Sequence, residues 1–306
     1  MFCGLRRMKS LRTQPLVSVV MTAYNAADFV MDAVESIQNQ TYQNWELIVV
    51  NDGSSDKTGE ILQKIAKTDK RIKVINYAKN RGASYASNLG LSYAKGQFIA
   101  RMDSDDISAP SRLARQVAFL QDHPKVIVVG GQCELINRAG EVIGVKNFPT
   151  SHREIYDALY QYNPIQHPSL MINRKLLGKE NITYHTKVLL AHDLEILFKL
   201  AQYGQLANLI DTVLLYRIHG DSLSLRNPKE TFRHTLAVRK MAKREYGYTP
   251  SVKGIVVHNL QKMVMMILPS VVVYPLFRLL RMGRVKQSVQ IKWAYVTAVF
   301  AGLFSR

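Results

Sequence analysis

Four short apolar segments alternate with helical patterns over residues 17–120, and this alternation constrains the fold more than any other feature of the sequence. The segments 17–22, 45–50, 72–75 and 98–102 are typical of buried strands. Each precedes a stretch with apolar residues at helical spacing, within 28–38, 57–68, 83–94 and 110–120. Strand–helix units repeated in this way predict an α/β fold with a Rossmann-like, mostly parallel central sheet, flanking helices and right-handed crossovers.

The alternation becomes irregular in the second half of the chain. We predict a fifth strand at 126–129 that leads through two glycines into 133–136, a short strand at 170–172, and helices near 154–160 and 192–203. Pro110 is expected to lie in the first turn of the helix that follows the fourth strand. This second half is predicted to close over one edge of the sheet.

A polar turn follows each of the four predicted strands, at 24–25, 52–53, 80–82 and 103–106. Parallel strands end at the same edge of a sheet, where open α/β folds bind their ligands. The last turn is the most acidic, because Asp103, Asp105 and Asp106 follow an apolar run directly. It is either a solvated turn that caps the next helix or a site for Mg²⁺ or Mn²⁺, which prefer hard oxygen ligands.

The other polar turns also have two interpretations each. Asp52 is a residue of an Asp-Gly turn or a carboxylate that holds a ribose or base. Tyr24 is a loop aromatic or a ring that stacks on a base, and Arg81 is a surface side chain or a phosphate ligand.

Three further candidates lie in the second half of the chain. Asp193, at the start of a predicted helix, interacts with the helix dipole or faces the pocket as a general base. His167 and His219 are interpreted as hydrogen-bonded structural histidines, since each is seen singly.

The charge balance requires an anionic partner. The chain has 41 Lys and Arg against 23 Asp and Glu, a net charge of +18. The basic residues are denser at both ends, and those at 278–292 adjoin an uncharged segment, 263–277. This proximity favours an anionic membrane surface over nucleic acid, for which no finger spacing or RNA-binding signature is present. The two cysteines, Cys3 and Cys133, indicate neither a disulfide framework nor a cysteine metal site, and they favour a reducing compartment.

The uncharged segment 263–277 is too short for a simple membrane span. As a helix it would be about 22 Å long, less than the roughly 30 Å hydrocarbon core of a bilayer. It also contains Pro269 and Pro275. We therefore predict an interfacial or re-entrant hairpin, with a buried helix pair as the alternative.

Taken together, these motifs resemble the family 2 glycosyltransferases, inverting enzymes of the GT-A fold that use nucleotide-sugar donors. The resemblance covers about 17–224. It rests on the stretches 18–25, 47–56, 80–82 with Asn88, 103–106, 163–169 and 216–219.

The resemblance implies a role for each matching residue. Ala23, Tyr24 and Asp52 would bind the base, Asp103 would lie beside the ribose or base, and Asp105 would bind a metal that bridges the diphosphate.

The catalytic base follows from the same resemblance. Family members usually have Glu-Asp at the start of the late helix, where this chain has His192-Asp193. Asp193 therefore matches the base, and Glu195 is the alternative. Arg81 would help neutralise the diphosphate, and a single base without a second carboxylate for a nucleophile predicts inversion at the anomeric carbon.

These inferences combine into one expectation. Residues 1–14 form a basic tail, 15–225 a GT-A domain with a nucleotide-binding half (about 15–125) and an acceptor half (about 126–225), and 226–306 a helical membrane-associating region. The enzyme is expected to use Mn²⁺ or Mg²⁺ and a nucleotide-sugar, UDP-sugar favoured over dTDP-sugar. It would extend a glycan or lipid-linked acceptor in cell-surface polysaccharide or lipopolysaccharide synthesis, on the cytoplasmic face of the membrane. The alternatives are a sugar nucleotidyltransferase and a non-catalytic basic protein that binds membranes or nucleic acid.

Overall fold

The computed structural model describes residues 14–178, 180–188, 190–219, 228–267 and 284–285. The ten strands of this part of the chain are β1 Val17–Ala23, β2 Trp45–Asp52, β3 Ile72–Tyr77, β4 Phe98–Asp103, β5 Ile107–Ser108, β6 Val126–Ile136, β7 Val142–Lys146, β8 Met171–Asn173, β9 Gln205–Arg217 and β10 Arg284–Val285. The α-helices are α1 Val30–Gln38, α2 Thr58–Thr68, α3 Ala83–Tyr93, α4 Arg112–Asp122, α5 His152–Ala158, α6 His192–Leu200, α7 Pro228–Glu245 and α8 Val252–Ile267. Short 3₁₀ turns at His167–Ser169 and Arg174–Leu177 flank β8.

The strands form one curled, mixed sheet in the order β10-β7-β6-β8-β4-β1-β2-β3, with β9 paired to β5 and β6. The block β4-β1-β2-β3 is parallel, as predicted. Its register places Thr22 of β1 beside Asp103 of β4, and Ala23 beside Asn51 of β2. The ends of these strands therefore meet at one edge of the sheet.

The central strands are apolar on both faces because each face is covered by helices. In β1, Val19 and Met21 belong to one core and Val20 to the other. The first core lies under α1, α2 and α4, and the second under α3, α5, α6 and α7. These two layers of helices complete the α/β architecture.

The structure corrects several details of the predicted elements. The predicted strand at 170–172 corresponds to β8, which lies antiparallel between β4 and β6, a place in the sheet that was not predicted. The two parts of that strand form one continuous strand, β6. Helix α4 begins at Arg112, and Pro110 precedes it, with its carbonyl accepting the Thr41 N–H at 2.9 Å. The two-residue strand β5 and the long strand β9 were not predicted.

Helix α7 and the loop that follows it extend the second core. Val238, Ala242 and Tyr248 are buried against residues of α6. Among the described residues, no helix is long and apolar enough to cross a membrane. Most of the predicted hairpin after residue 263, and all but one residue of the basic tail 1–14, lie outside the described residues.

Candidate active site

The three acidic residues at the end of β4 form a compact cluster. One carboxylate oxygen from each of Asp103, Asp105 and Asp106 lies within 4.8 Å of the others. Asp103 and Asp105 are partly exposed, whereas Asp106 is buried. Oxygen donors at this spacing match the ligand preference of Mg²⁺ and Mn²⁺, so the cluster could hold a divalent cation.

The electrostatics of the cluster also favour a cation. Burial, followed by the charge of Asp105, raises the pKa of Asp103 to about 6, although Arg101 opposes the shift. Burial, followed by the charges of Asp105 and Asp103, raises the pKa of Asp106 well above its ordinary value. A bound cation would relieve the repulsion that produces these shifts. The charge of Asp193 also raises the pKa of Asp103, which places the predicted base within electrostatic range of the cluster.

Asp106 differs in role from its two neighbours. One of its oxygens accepts the backbone N–H of Arg217 at 2.8 Å. Asp106 therefore ties the acidic turn to the end of β9.

Arg217 organises the acidic turn from the opposite strand. Its buried guanidinium donates to the carbonyl of Asp105 at 2.8 Å and to those of Asn137 and Arg138 at 3.2 and 2.8 Å. It also pairs with Asp32 of α1 at 3.1 Å. The stretch 216–219 contributes to the family resemblance, but no role was predicted for Arg217 because its partners are distant in the chain.

His219 lies at the site, where the sequence indicated only a structural histidine. Its Nε2 is 2.9 Å from Oδ2 of Asp105, and its ring packs on Phe29 with centroids 5.1 Å apart. An imidazole nitrogen beside carboxylates suits Mn²⁺ and other transition metals. His219 and Asp105 could therefore ligate one ion together.

Asp52 supports the loop before α3. Its two carboxylate oxygens accept the backbone N–H groups of Arg81 at 2.9 Å and Gly82 at 2.8 Å, and the Asp52 side chain is almost fully buried. Gly82 has φ +93° and Gly53 has φ +71°, backbone conformations that favour glycine. The carboxylate thus holds this loop at the same sheet edge as Ala23 and Asp103.

The remaining nucleotide-side candidates differ in exposure. Ala23 is buried at the end of β1, whereas Tyr24 is 52% exposed and presents its ring at the sheet edge. The exposed Arg81 side chain packs over the ring of Tyr85 at 3.6 Å and lies 5.6 Å from that of Tyr77. In the described structure the guanidinium is thus held on aromatic faces beside the edge.

The loop after β1 is not arranged as a phosphate-binding loop. The backbone N–H groups of residues 25, 26 and 27 donate to the side chains of Ser54, Thr58 and Asp56 at 3.0, 2.8 and 3.0 Å. These groups stabilise the contact between the first two strand ends, so they are engaged within the protein.

Asp193 is held at the first turn of α6. Its Oδ2 accepts the side-chain amide of Asn163 at 2.8 Å and its Oδ1 accepts the N–H of Leu194 at 2.9 Å. The preceding Ala191 has φ +68°. The alternative base, Glu195, is fully buried and its carboxylate accepts the Tyr246 hydroxyl. The partly exposed Asp193 is therefore the better placed carboxylate for a substrate.

The rings of His167 and Tyr184 pack against His192, the residue before Asp193. His167 Nε2 lies 2.8 Å from the hydroxyl of Tyr184, and His192 contacts both rings edge-on. Burial, with the charge of Arg101, lowers the pKa of His167 well below its ordinary value, so this imidazole is neutral. The expectation that His167 is structural agrees with this packing.

Comparison with known proteins decides the family. The sequence profile described as glycosyl transferase family 2 matches residues 18–179, more than half of the chain. The chain belongs to this family. A glycosyltransferase from Haemophilus influenzae is 34% identical over 218 residues, which cover 69% of this chain and 68% of the relative. The Escherichia coli UDP-Glc:alpha-D-GlcNAc-diphosphoundecaprenol beta-1,3-glucosyltransferase WfaP is 30% identical over 226 residues, 74% of this chain and 86% of that protein. The family 2 chain is accordingly a glycosyltransferase.

Solved structures share the fold. Mannosyltransferase PcManGT from Pyrobaculum calidifontis superposes with a TM-score of 0.60 at 20% identity, over 95% of this chain and 81% of that one. TarS from S. aureus gives 0.58 at 20% identity and covers 74% of this chain, which spans only 39% of TarS. These likenesses confirm the predicted GT-A fold.

Proposed function

We propose that this family 2 enzyme is a metal-dependent inverting glycosyltransferase that moves a sugar from a UDP-sugar to a glycan or lipid-linked acceptor. One observation carries the proposal: the partly exposed carboxylate of Asp193 lies close enough to the cluster Asp103–Asp105–Asp106 for its charge to raise the pKa of Asp103. The arrangement supplies the two groups that the displacement needs, a general base and a site that can neutralise charge on the leaving group.

The relatives support the donor and acceptor classes. WfaP is named for UDP-Glc and a diphosphoundecaprenol acceptor, and TarS and PcManGT were solved with UDP-GlcNAc and with GDP-Man and Mn²⁺. A UDP-sugar, a lipid-linked acceptor and Mn²⁺ or Mg²⁺ are therefore the ligands that we propose for this chain.

The residues act in distinct ways. Asp193 accepts the proton of the acceptor hydroxyl, and Asn163 keeps the Asp193 carboxylate in place. Asp105 and His219 would hold the cation, which would supply positive charge to neutralise the leaving diphosphate. Asp52 fixes the loop 80–82 next to Tyr24, whose exposed ring stacks on the base. Proton removal on one face and leaving-group stabilisation on the other give inversion.

The metal assignment is tested with Asp105→Ala. We expect loss of sugar transfer and of Mn²⁺-dependent UDP binding in calorimetry, because the carboxylate nearest His219 is gone. Asp211→Asn is the control, since it removes a surface carboxylate that pairs with Arg115. Unchanged transfer by Asp105→Ala would refute the metal site.

The base is tested separately with Asp193→Asn. The amide keeps the shape of the side chain but cannot accept the proton, so donor binding should persist while transfer stops. Near-normal turnover would exclude Asp193 as the base.

The internally bonded loop after β1 disfavours the sugar nucleotidyltransferase alternative, which needs free N–H groups for phosphates. Metal-dependent UDP affinity in the same calorimetry would distinguish the enzyme from a non-catalytic basic binding protein.

We also propose where the reaction takes place. The basic charge and the C-terminal region 226–306 support peripheral or monotopic association with the anionic, cytoplasmic face of the membrane, without nucleic acid as a partner. A membrane location suits a lipid-linked acceptor. Removal of the chain after residue 254 is expected to release the protein from the membrane fraction of lysed cells.

A further inference from the structure

Helix α8 has an apolar face that points away from the protein. Val252 is 79% exposed, and the other exposed apolar residues of the helix are Ile255, Val256, Leu260, Met263, Met266 and Ile267. Single exposed apolar residues are ordinary, but a continuous row along four helical turns marks an interaction surface. We call this set the α8 outer face.

The arrangement around the helix axis is that of an interfacial helix. At 100° per residue, the α8 outer face covers an arc of roughly 140°, interrupted only by Asn259. Lys253 and Lys262 are exposed and fall just outside the two borders of this arc. Lysines in these positions extend their ammonium groups toward lipid headgroups while the apolar face enters the headgroup boundary.

The inner side of α8 is fixed to the catalytic domain. Gln261 donates to the carbonyl of Gln161 at 2.9 Å and accepts from the buried Arg239 of α7 at 2.9 Å. A Cβ on the buried Gly254 would lie 3.4 Å from Tyr160. The inner contacts show which side of the helix belongs to the protein core and leave the outer face presented to the surroundings.

The positive charge of residues 228–267 indicates an anionic partner for the α8 outer face. Residues 228–267 contain eight Lys or Arg and two Glu, and α8 itself has no acidic residue. The sequence then continues without a charged residue through 277. A protein interface would need acidic partners around the two lysines, whereas anionic phospholipids supply negative charge and hydrocarbon together.

We propose that the α8 outer face binds the surface of an anionic phospholipid bilayer, with the helix axis parallel to the membrane plane. This deepens the membrane location in the proposed function and rests on it, because it names the contact surface and the orientation. The Tyr246 hydroxyl donates to Glu195 on α6, and Tyr248 packs on Phe198 of α6 with centroids 4.7 Å apart. The helix with Asp193 is thereby held at a set position relative to the bilayer, where a lipid-linked acceptor would emerge.

The test is co-sedimentation of the full-length protein with vesicles. We compare vesicles of phosphatidylcholine alone with vesicles that also contain phosphatidylglycerol. The wild-type protein should bind the anionic vesicles, and the variant Val256→Glu/Met263→Glu should bind them roughly tenfold or more weakly, because two carboxylates enter the apolar arc. Lys253→Gln/Lys262→Gln should lose the preference for phosphatidylglycerol.

A charge-matched control separates this surface from general electrostatics. Ile210→Glu/Val142→Glu adds the same two charges at exposed apolar positions on strands, and it should bind vesicles as the wild type does. Three results would overturn the proposal: no vesicle binding by the wild type, equal binding by Val256→Glu/Met263→Glu, or a dimer in sedimentation velocity that this variant dissociates. Metal-dependent UDP binding, measured on the same samples, should be unchanged in the variant. Its absence in the wild type would refute the proposed chemistry while the vesicle result still decides the membrane surface.

Discussion

The bond between Tyr246 and Glu195 leads to a prediction about both stability and catalysis. Glu195 is fully buried, one of its oxygens accepts the Tyr246 hydroxyl, and the structure gives its other oxygen no hydrogen-bond donor. Burial, and then the bond to Glu195, raises the pKa of Tyr246, so the phenol stays protonated and donates at every physiological pH. The variant Tyr246→Phe removes only this hydroxyl.

The expected loss of stability in Tyr246→Phe follows from the burial of Glu195, which accepts this hydrogen bond. A hydrogen bond to a charged group contributes about 2 to 3 kcal/mol, and its loss leaves a buried carboxylate without a donor. In a protein of this size, that loss lowers the Tm by roughly 3 to 5 °C. Because Glu195 lies two residues after Asp193 on α6, kcat should fall while KM for the donor changes little.

Two variants make the measurement decisive. Tyr203→Phe removes a similar bond, from Tyr203 to Glu180, which lies at the surface, and should cost about 0.5 kcal/mol or less. In Glu195→Leu/Tyr246→Phe both polar partners are replaced, so much of the lost stability should return. Urea unfolding and steady-state kinetics supply the readouts. A free energy of unfolding for Tyr246→Phe equal to that of Tyr203→Phe would refute the reasoning.

Three further variants test local features by urea unfolding. Hydrogen bonds from Arg71 lower the pKa of Asp69 to about 2, so the ionised carboxylate stabilises the fold above about pH 4 and this contribution is lost as the pH falls toward 2. Asp69→Asn should therefore lower the free energy of unfolding by about 1 kcal/mol at pH 7 after allowance for solvent screening, and the difference from the wild type should shrink below pH 4. Gly53→Ala should cost at least about 1 kcal/mol and weaken UDP binding, since φ is +71° and the new Cβ would lie 2.4 Å from a backbone nitrogen; equal UDP affinity would contradict this. Gly90→Ala should destabilise by about 1 kcal/mol or more, because its Cβ would meet Val20 Cγ1 at 2.5 Å; a more stable variant would show that helix propensity outweighs the clash.

The first four strands could be predicted because each carries a short apolar segment that is followed by a polar turn, and β1, β2 and β4 are buried on both faces. Their parallel order then brought Ala23, Asp52 and Asp103 to one edge, as the register confirms. The three-residue β8 was predicted as a strand, but its insertion between β4 and β6 depends on pairings that no local pattern encodes. Strand β9 was missed because its buried and exposed residues do not alternate regularly.

The candidate site, like the fold, could be predicted from the sequence only in part. Acids at a strand end are visible in the sequence, and Asp193 was found through the resemblance to a family. The contacts of Arg217 and His219 with Asp105 join residues more than 100 positions apart, so each appeared alone in the sequence. An Arg and a His two residues apart are informative only when the strand that carries them is known to pair next to the acidic turn.

The position of β8 has a consequence for biosynthesis. Strand β4, which ends at Asp103, is hydrogen-bonded to β1 on one side and to β8 on the other. During synthesis, β8 is complete only once residue 173 has been added and has left the ribosome. Until then, the nascent segment 17–125 exposes an unpaired strand edge that can pair with other chains. A shortened gene product that stops near residue 125 should therefore aggregate even though it contains Tyr24, Asp52 and the acidic turn, and that turn gains its contacts with Arg217 only when β9 pairs with β5.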